Sequence, residues 1–452
     1  MIRISMLQRP FAAILMLTAV VPAAALDVDR FDDIVAAGME RWRVPGLAVA
    51  VIEDGEVVLQ RGYGRAAPDG AAVDEHTLFA NASTTKAMVV AGLLILADEE
   101  RLSLDDLVIE HLPEVHLHSE ALTQQVTIRD LLAHRTGLPR TDFWTFRQLT
   151  PLPEQVRKLR LVEPAAAPRT RLLYQNTMYE LAGLIIERVS GQRWDAFLRK
   201  RLWQPIGMLE TYGTRGQIPA TKQHVVPHDE IDGTVRQIPF DLPLDREDAA
   251  GSAWSSVHDM TLWAQFLLRG GVTADGRRLI SEDAMAAMFE PHQFATPDDF
   301  YPTVELTEPH WRTYGLGWFQ QDFQGRKIDF HTGSLDGLVA IIGLDPANAQ
   351  AVVVLQNMDG SELRHALLWE VHGRAAGGRT PRLGRRRART LYGPRRRAAR
   401  RVGRTRGRPA GEHVDQPAAG RLSRHLVERP ARRHRPGAGK RHADAADRHV
   451  RV

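Results

Sequence analysis

The stretch PGLAVAVIEDGEVVLQRG, residues 45–62, is typical of a β-hairpin. LAVAVIE and EVVLQRG are strand-like runs, and Asp54-Gly55 between them is a turn sequence, because both turn positions require a positive φ. Strand chemistry returns far along the chain, near Tyr314, in the four runs YGLGWFQ, KIDFHTG, LVAIIGL and AVVVLQN. These runs predict an antiparallel meander. Turn sequences separate them at residues 324–325, 334–337 and 345–346.

The chain between the hairpin and the meander consists mainly of helical patterns and loops. The helical patterns are TKAMVVAGLLILADEE, IRDLLAHR, NTMYELAGLIIERVSG and SSVHDMTLWAQFLLRGG, and a shorter one, ELRHALLWEV, follows the last strand. Gly191 is a stop signal for the third helix, and Ser256 with Asp259 resembles a capping box for the fourth. We therefore predict a mixed α/β (α+β) fold, with an antiparallel sheet built from N- and C-terminal strands, flanking helices and an inserted all-helical lobe.

The first 25 residues have the pattern of an export signal. Arg3 and Arg9 precede the apolar run 11–21, which is too short for a comfortable bilayer span, and Ala23-Ala24-Ala25 fits a cleavage site. The alternative is a buried N-terminal helix. The 452 residues include no cysteine, which excludes a disulfide framework, a cysteine nucleophile and a thiolate metal site. We expect a periplasmic or secreted protein without a membrane span.

Residues 373–452 form a basic tail that differs from the rest of the chain. The tail has 25 basic and 5 acidic residues and a net charge of +20, whereas the remainder has a net charge of −16. It lacks Ile, Phe, Met, Trp and Asn, so it cannot bury enough apolar surface to offset chain entropy. It is a solvated disordered tail, a basic arm for anionic polymers, or the product of a frameshift near residue 373, because out-of-frame alanine codons encode Arg, Gly and Pro.

The stretch FANASTTKAM, residues 79–88, contains the first lysine of the chain. Ser83 and Lys86 lie on one helix face, so the hydroxyl and the amine can meet. A serine hydroxyl is a weak nucleophile until a base takes its proton, and a buried lysine can be that base because burial lowers its pKa, whereas arginine keeps its proton. Only Ser83 among the serines has a lysine three residues on. The alternative is a helix-capping serine beside a solvated lysine.

Tyr174-Gln175-Asn176 precedes the third helix and is the only Tyr-x-Asn in the chain. A phenol beside a lysine ammonium is favoured as phenolate, so Tyr174 is a candidate proton relay to Ser83 or to a leaving group. Asn176 offers an amide to a substrate or to Lys86. The alternative is that Asn176 caps the helix and Tyr174 only packs.

The residues His331-Thr332-Gly333-Ser334 end a predicted strand. Glycine there permits close backbone approach of a ligand, and the N–H of Ser334 can be a second oxyanion donor. The first donor would be a backbone N–H at the start of the helix near Ser83. The alternative is an ordinary strand-to-turn boundary.

These three patterns, in this order, resemble the serine β-lactamase-like hydrolases, which include class C β-lactamases, DD-peptidases, D-amino-acid amidases and family VIII-type carboxylesterases. The resemblance covers about residues 30–371, with the landmarks PGLAVAVI, LLAHRTGLP, YQNTMYELAGLIIERVSG, YGLGW and HTGSLDG. It implies a catalytic domain over residues 26–372. The implied roles are nucleophile for Ser83, activating partner for Lys86, proton shuttle for Tyr174, substrate-amide contact for Asn176, third motif for His331, Thr332 and Gly333, and oxyanion hole for the N–H groups of Ser83 and Ser334.

One departure from the family pattern bears on the substrate. Class C β-lactamases usually have Lys-Thr-Gly at the third motif, where this chain has His-Thr-Gly. A permanent ammonium is thus replaced by a group that is mostly neutral at pH 7, which points away from β-lactams and carboxy-terminal peptides, although some DD-peptidases also have His here.

We therefore predict an exported serine hydrolase that cleaves an ester or an amide through a Ser83 acyl-enzyme. It would need no cofactor, and its partner would be a small-molecule ester, amide or peptide substrate rather than nucleic acid. The oligomeric state stays open. The alternatives are a DD-peptidase or β-lactamase acting on cell-wall peptides or β-lactams, and a penicillin-recognising binding protein that acylates without turnover.

His116-x-His118, with Glu114 and Glu120 nearby, is the one pattern that suggests a metal. The stretch is a predicted loop without a third strong ligand, so we interpret these histidines as exposed loop residues and predict no metal site.

Overall fold

The structure is a computed structural model that describes residues 25–142, 144, 150–240, 248–296 and 307–374. The predicted signal peptide lies outside the described residues except for Ala25. The predicted tail lies outside them except for Gly373 and Arg374, which end the last helix. The export signal and the origin of the tail therefore remain predictions.

The central element is an antiparallel sheet with the order β2-β1-β12-β11-β10-β9-β8-β7. The N-terminal strand β1 pairs with the C-terminal strand β12, so that Val49 lies opposite Val354. This pairing confirms the prediction that strands from both ends of the domain form one sheet. The strands are β1 Gly46–Glu53, β2 Glu56–Gly64, β3 Phe79–Ala80, β4 His228–Ile231, β5 Thr234–Gln237, β6 Trp254–Ser255, β7 Gln293–Phe294, β8 Arg312–Tyr314, β9 Phe319–Phe323, β10 Arg326–Leu335, β11 Leu338–Asp345 and β12 Gln350–Gln356.

Helices cover both faces of this sheet. In the described ranges the α-helices are α1 Val28–Trp42, α2 Thr85–Asp98, α3 Val108–His111, α4 Glu120–Thr123, α5 Ile128–Leu132, α6 Leu152–Lys158, α7 Asn176–Ser190, α8 Trp194–Leu198, α9 Gln204–Ile206, α10 Val257–Leu268, α11 Glu282–Phe289 and α12 Leu363–Arg374. None of the helices that the structure describes has both the length and the apolar character needed to cross a bilayer.

The side chains of β1 alternate between two hydrophobic cores. Ala48, Ala50 and Ile52 belong to the core shared with α2, α7 and α10. Leu47, Val49 and Val51 belong to the core shared with α1 and α12. Successive strand residues point to opposite faces, so a sheet covered on both faces requires an almost continuous apolar run. This requirement explains the sequence LAVAVI.

The predicted turn and cap residues adopt the expected conformations. Asp54 and Gly55 both have positive φ, 51° and 83°, as the hairpin turn requires. Gly191 ends α7 in the left-handed region, and the hydroxyl of Ser256 accepts a hydrogen bond from the Asp259 N–H at the start of α10. Local turn chemistry therefore agrees with the global fold at these positions.

The structure adds two features that the sequence pattern did not predict. The inserted lobe is mainly helical, but it also contains the two-stranded ladders β3–β6 and β4–β5, whose strands of two to four residues are too short for a periodic signal. Strand β10 continues through Ser334 to Leu335, so residues 331–334 lie inside the strand and not at its end. The prediction of a turn beginning at Ser334 was wrong, because cross-strand pairing extends the strand to the Asp336-Gly337 turn.

Candidate active site

Ser83 lies in a 3₁₀ turn, Ala82–Thr84, immediately before α2. The Asn81 N–H donates to the Ala253 carbonyl at 2.8 Å, and β3, which precedes the turn, pairs with β6. The residues on both sides of Ser83 are buried, whereas Ser83 itself is partly exposed. The fold therefore places Ser83 between buried neighbours and leaves the residue partly accessible from solvent.

Lys86 lies one turn further along and is completely buried. Its Nζ donates to Ser83 Oγ at 3.0 Å, to Asn176 Oδ1 at 2.7 Å and to the Ala250 carbonyl at 2.6 Å. Helix α2 is buried around its whole circumference, so the amine cannot reach bulk water. The structure therefore brings Ser83 and Lys86 together as their spacing predicts.

The surroundings of Lys86 lower its pKa to about 7. Burial is the largest cause, because it penalises the ammonium, and the carboxylates of Asp248 and Asp142 oppose it only in part. All three hydrogen-bond acceptors of the amine are neutral oxygens. Lys86 is therefore poised to release and take up a proton near neutral pH.

Tyr174 lies beside this pair, and its hydroxyl interacts with Ser83. Burial raises the pKa of the Tyr174 phenol well above its usual value, and the interaction with Ser83 opposes that rise only in part. The phenolate predicted from the sequence is therefore not favoured, because the loss of hydration outweighs nearby positive charge. The Lys86 Nζ lies over the face of the ring, 5.1 Å from its centroid.

Asn176 is the first residue of α7, and both ends of its amide are engaged. The carbonyl oxygen accepts from Lys86, and Nδ2 donates to Asp142 Oδ1 at 3.0 Å. The helix cap is Gln175, whose side chain accepts from the Thr177 N–H. The alternative interpretation of Asn176 as the cap was therefore wrong by one residue, and its amide is left to orient the lysine.

Gly333 allows β10 to pack against the turn that carries Ser83. A Cβ at Gly333 would overlap the Asn81 carbonyl oxygen and lie 2.9 Å from Ala82 Cβ and 3.1 Å from the Ser83 N. The sequence prediction that glycine permits close approach of a ligand here stays a prediction; in the structure Gly333 also permits close approach of the backbone of residues 81–83. Strand β9 pairs with β10 only as far as Phe330. The following residues of β10 have no β9 partner on that edge, and this part of the strand borders the turn that carries Ser83.

His331 is buried behind this edge and held as a neutral ring. Its Nδ1–H donates to the Thr332 carbonyl at 2.7 Å, and its Nε2 accepts from the Tyr314 hydroxyl at 3.0 Å. Burial, aided by the charge of Lys86, lowers the pKa of His331 to about 3. The third motif therefore contributes no positive charge to the site at neutral pH.

The remaining residues of the third motif have different environments. Thr332 is fully buried, and among the described residues its hydroxyl has no hydrogen-bond partner. Ser334 is exposed, and Nη1 of Arg364 donates to its Oγ at 3.0 Å and to the Gly333 carbonyl at 2.6 Å. Arg364 thus ties α12 to the strand edge that borders Ser83.

Sequence reasoning missed several contributors to the site. The Ala250 carbonyl carries no side-chain signature, so no motif could have identified it. Asp248 lies before the fourth helical pattern and outside every motif found in the sequence, and Asp142 follows the landmark LLAHRTGLP by three residues. Tyr314 lies in the landmark YGLGW, but nothing in the neighbouring sequence indicates that its hydroxyl bonds to His331.

The predicted histidine pattern at residues 116–118 does not form a cluster. His116 and His118 are both exposed. Among the described residues, the group whose potential ligand atoms converge is instead His76, Glu210 and His258.

Comparisons with known proteins bear on the family and the fold of this chain. The family described as Beta-lactamase matches residues 31–376. The unguisins hydrolase ungD' of Aspergillus campestris (strain IBT 28561) is 30% identical over 354 residues, which cover 74% of this chain and 62% of that protein. Protein flp of Staphylococcus aureus (strain COL) is 25% identical, over 73% of this chain and 63% of that protein. The chain thus spans about three-fifths of the length of these relatives.

Two solved structures share the fold. The octameric penicillin-binding protein homologue from Pyrococcus abyssi has a TM-score of 0.69 and 22% identity, over 79% of each chain. A class C beta-lactamase has a TM-score of 0.63 and 20% identity, over 77% of this chain and 98% of that chain. At this level of identity the likeness concerns the fold alone.

Proposed function

This chain belongs to the Beta-lactamase family, and from that membership we propose that it is a serine hydrolase that cleaves an ester or an amide through an acyl-enzyme on Ser83. One observation carries the proposal. The amine of Lys86 lies 3.0 Å from the Ser83 hydroxyl and has a pKa of about 7. A base with a pKa near the working pH is the partner that a serine nucleophile requires. The name of the unguisins hydrolase agrees with a hydrolytic reaction.

In the acylation step, neutral Lys86 takes the proton of Ser83 while the serine oxygen attacks the substrate carbonyl. The N–H groups of Ser83 and Ser334 then hold the negative oxygen of the tetrahedral intermediate. The proton on Lys86 passes to the leaving alcohol or amine through the Tyr174 hydroxyl, which interacts with Ser83 and has the Lys86 amine over its ring. The bond between the acyl carbon and the leaving group breaks, and Ser83 remains acylated.

In the deacylation step, water attacks the acyl carbonyl and gives a proton to Lys86. The tetrahedral intermediate collapses, the carboxylic acid leaves, and the proton returns to the Ser83 oxygen. Asn176 keeps the amine in register through both steps, because its carbonyl oxygen accepts from Lys86 and Asp142 accepts from its Nδ2. This sequence requires no cofactor.

The third motif favours substrates without a carboxylate next to the scissile bond. His331 is neutral and buried, so it cannot attract an anionic group as a lysine ammonium would. We infer that small uncharged esters or amides are better substrates than β-lactams or carboxy-terminal peptides. The signal pattern of residues 1–25 supports a periplasmic or secreted site of action.

The test is burst kinetics of the full chain with a p-nitrophenyl ester. We expect a burst of p-nitrophenol followed by steady turnover, with a loss of about 10³- to 10⁶-fold in Ser83→Ala. The matched control is Ser190→Ala. Ser190 is the last residue of α7, at the other end of this helix from Asn176, and the variant should retain activity.

The same assay separates the alternatives. A single stoichiometric burst without turnover would indicate a penicillin-recognising binding protein. Faster turnover of nitrocefin than of any ester or D-amino-acid amide would indicate a β-lactamase. Hydrolysis that survives in Ser83→Ala would refute the proposal.

A further inference from the structure

A second cluster of polar side chains lies on the surface of the lobe, at the end of the β3–β6 ladder. His76 comes from the loop before β3, Glu210 from the loop after α9, and His258 from the first turn of α10. One potential ligand atom from each of the three lies within 4.8 Å of the other two. The His76 and His258 rings are 5.1 Å apart between centroids. The fold thus gathers two imidazoles and a carboxylate from distant parts of the chain.

We propose that His76, Glu210 and His258 form a zinc site. Two histidines and one glutamate are a ligand set that Zn²⁺ accepts, with water in the fourth position. Tetrahedral coordination requires ligand atoms about 3.3 Å apart, so ligand atoms that lie within 4.8 Å of one another need to close by no more than about 1.5 Å. His76 and His258 are partly exposed, so the ion can enter from solvent and the rings can make this adjustment.

Contacts around the three ligands already orient two of them. The Nδ1 of His258 lies 3.3 Å from Asp259 Oδ1, a contact that places the proton on Nδ1 and leaves a lone pair on Nε2. A carboxylate behind a histidine is the usual outer partner of a metal ligand. The same Asp259 accepts from the Glu210 N–H at 2.7 Å and from the Thr211 hydroxyl at 2.8 Å. Asp259 therefore anchors both the histidine and the loop that carries Glu210.

Other hydrogen-bond donors already contact Glu210. The Nδ1 of His76 lies 2.9 Å from Glu210 Oε2, and Lys222 Nζ donates to Oε1 at 2.5 Å. Ser256 Oγ donates to Oε2 at 3.1 Å. A zinc ion would replace the proton shared by His76 and Oε2, and Lys222 would remain on Oε1. The ion would tie three segments together beside β3, the strand that leads into the Ser83 turn, and so stabilise the lobe without taking part in hydrolysis.

The test uses the full chain after treatment with a chelator and transfer into chelator-free buffer. We expect a site that binds Zn²⁺ with micromolar or tighter affinity by calorimetry, and a rise in Tm of about 3–8 °C at saturation. Co²⁺ at the same site should give visible absorption bands of tetrahedral coordination. His258→Gln and His76→Gln should each weaken binding at least tenfold and abolish the rise in Tm, while melting normally in chelator.

The matched control is His116→Gln with His118→Gln, two exposed histidines outside the cluster. Five histidines after residue 374 can also bind zinc, so the decisive quantity is the difference between variants. Equal affinity in all variants, or binding lost only in the control pair, would overturn the zinc site. Ester hydrolysis in chelator should be unchanged, so a failure of the hydrolase proposal would not be mistaken for a failure of this one.

Discussion

Lys86 and Lys222 each donate hydrogen bonds to oxygen atoms, yet their surroundings shift their pKa values in opposite directions. Lys86 is fully buried, its acceptors are neutral, and burial lowers its pKa to about 7. Lys222 is 39% exposed, its acceptor is the Glu210 carboxylate, and that hydrogen bond raises its pKa. The buried cluster of Lys86, Ser83 and Asn176 therefore makes its lysine a base. The surface cluster of Lys222 and Glu210 keeps its lysine a permanent cation. The difference comes from hydration and from the charge of the acceptor rather than from the number of hydrogen bonds.

The largest effect should follow from replacing Lys86 with arginine. Lys86→Arg keeps the positive charge but removes the ability to release a proton, so kcat/KM for a p-nitrophenyl ester should fall at least about 10³-fold. The control is Lys158→Arg, a partly exposed lysine paired with Glu154, which should retain activity within about twofold. Activity within tenfold in a folded Lys86→Arg chain would mean that the buried amine is not the base.

The next largest effect tests how tightly the buried cluster is packed. In Gly333→Ala the new methyl group would overlap the Asn81 carbonyl and crowd the Ser83 N–H, so the strand and the nucleophile turn must separate. We expect a loss of about 10²-fold in kcat, because small displacements at a catalytic centre are costly. Gly373→Ala is the control, since a Cβ there meets nothing closer than 3.7 Å. Equal activity of the two variants would show that β10 does not position the site.

The pH dependence of hydrolysis sharpens the contrast between the two lysines. Below pH 7 Lys86 is increasingly protonated and cannot accept the Ser83 proton, so kcat/KM should fall about tenfold per pH unit. Above pH 7 the rate should level off. A pH–rate profile with no inflection between pH 6 and 8 would contradict the assigned base.

The same titration affects stability with a defined sign. The pKa of Lys86 is about 7 in the folded chain, against 10.5 for an unperturbed lysine. Between these values the unfolded chain holds a proton that the folded chain has lost, so stability should rise with pH from 7 to 10.5. Thermal melting of Lys86→Met should show a smaller rise across this window. An equal rise of Tm in both proteins would mean that titratable groups other than Lys86 cause the pH dependence.

A smaller effect is expected from the hydrogen bond that Tyr314 donates to the buried His331 ring. Tyr314→Phe leaves the buried His331 Nε2 without its donor and should destabilise the fold by about 1–3 kcal/mol. Denaturant unfolding measures the loss. Phe323→Leu is a comparison within the same sheet that removes no hydrogen bond. A Tyr314→Phe chain as stable as the unsubstituted protein would show that the hydrogen bond does not hold the ring.

The smallest effect should come from the surface lysine. Lys222→Gln breaks a partly exposed ion pair with Glu210, and such pairs contribute about 0–1 kcal/mol. The Tm should shift by no more than about 2 °C, and added salt should reduce the difference. A loss much larger than this would mean that the surface cluster is as tightly coupled to the fold as the buried one.

Local sequence chemistry determined much of this molecule. The Asp54-Gly55 turn, the Gly191 stop and the Ser256 cap were predictable because they depend on residues a few positions apart. The approach of Ser83 to Lys86 was predictable for the same reason, since three residues of helix bring the two side chains together. The alternation of β1 between two cores was implicit in its continuous apolar run.

Tertiary structure alone decided the properties that depend on residues far apart in the chain. The pKa of Lys86 depends on burial and on the distant carboxylates of Asp248 and Asp142. The hydrogen-bond acceptors of its amine, the Ala250 carbonyl and the Asn176 amide oxygen, lie 164 and 90 positions away. The neutral Tyr174 and the extension of β10 through Ser334 ran against sequence expectations, because hydration and strand pairing override local patterns. The same holds for His76, Glu210 and His258, which no spacing rule connects. The sequence specifies short-range geometry. The charge state of a side chain depends on which distant atoms exclude water from it, and the meeting of distant side chains depends on how the whole chain packs.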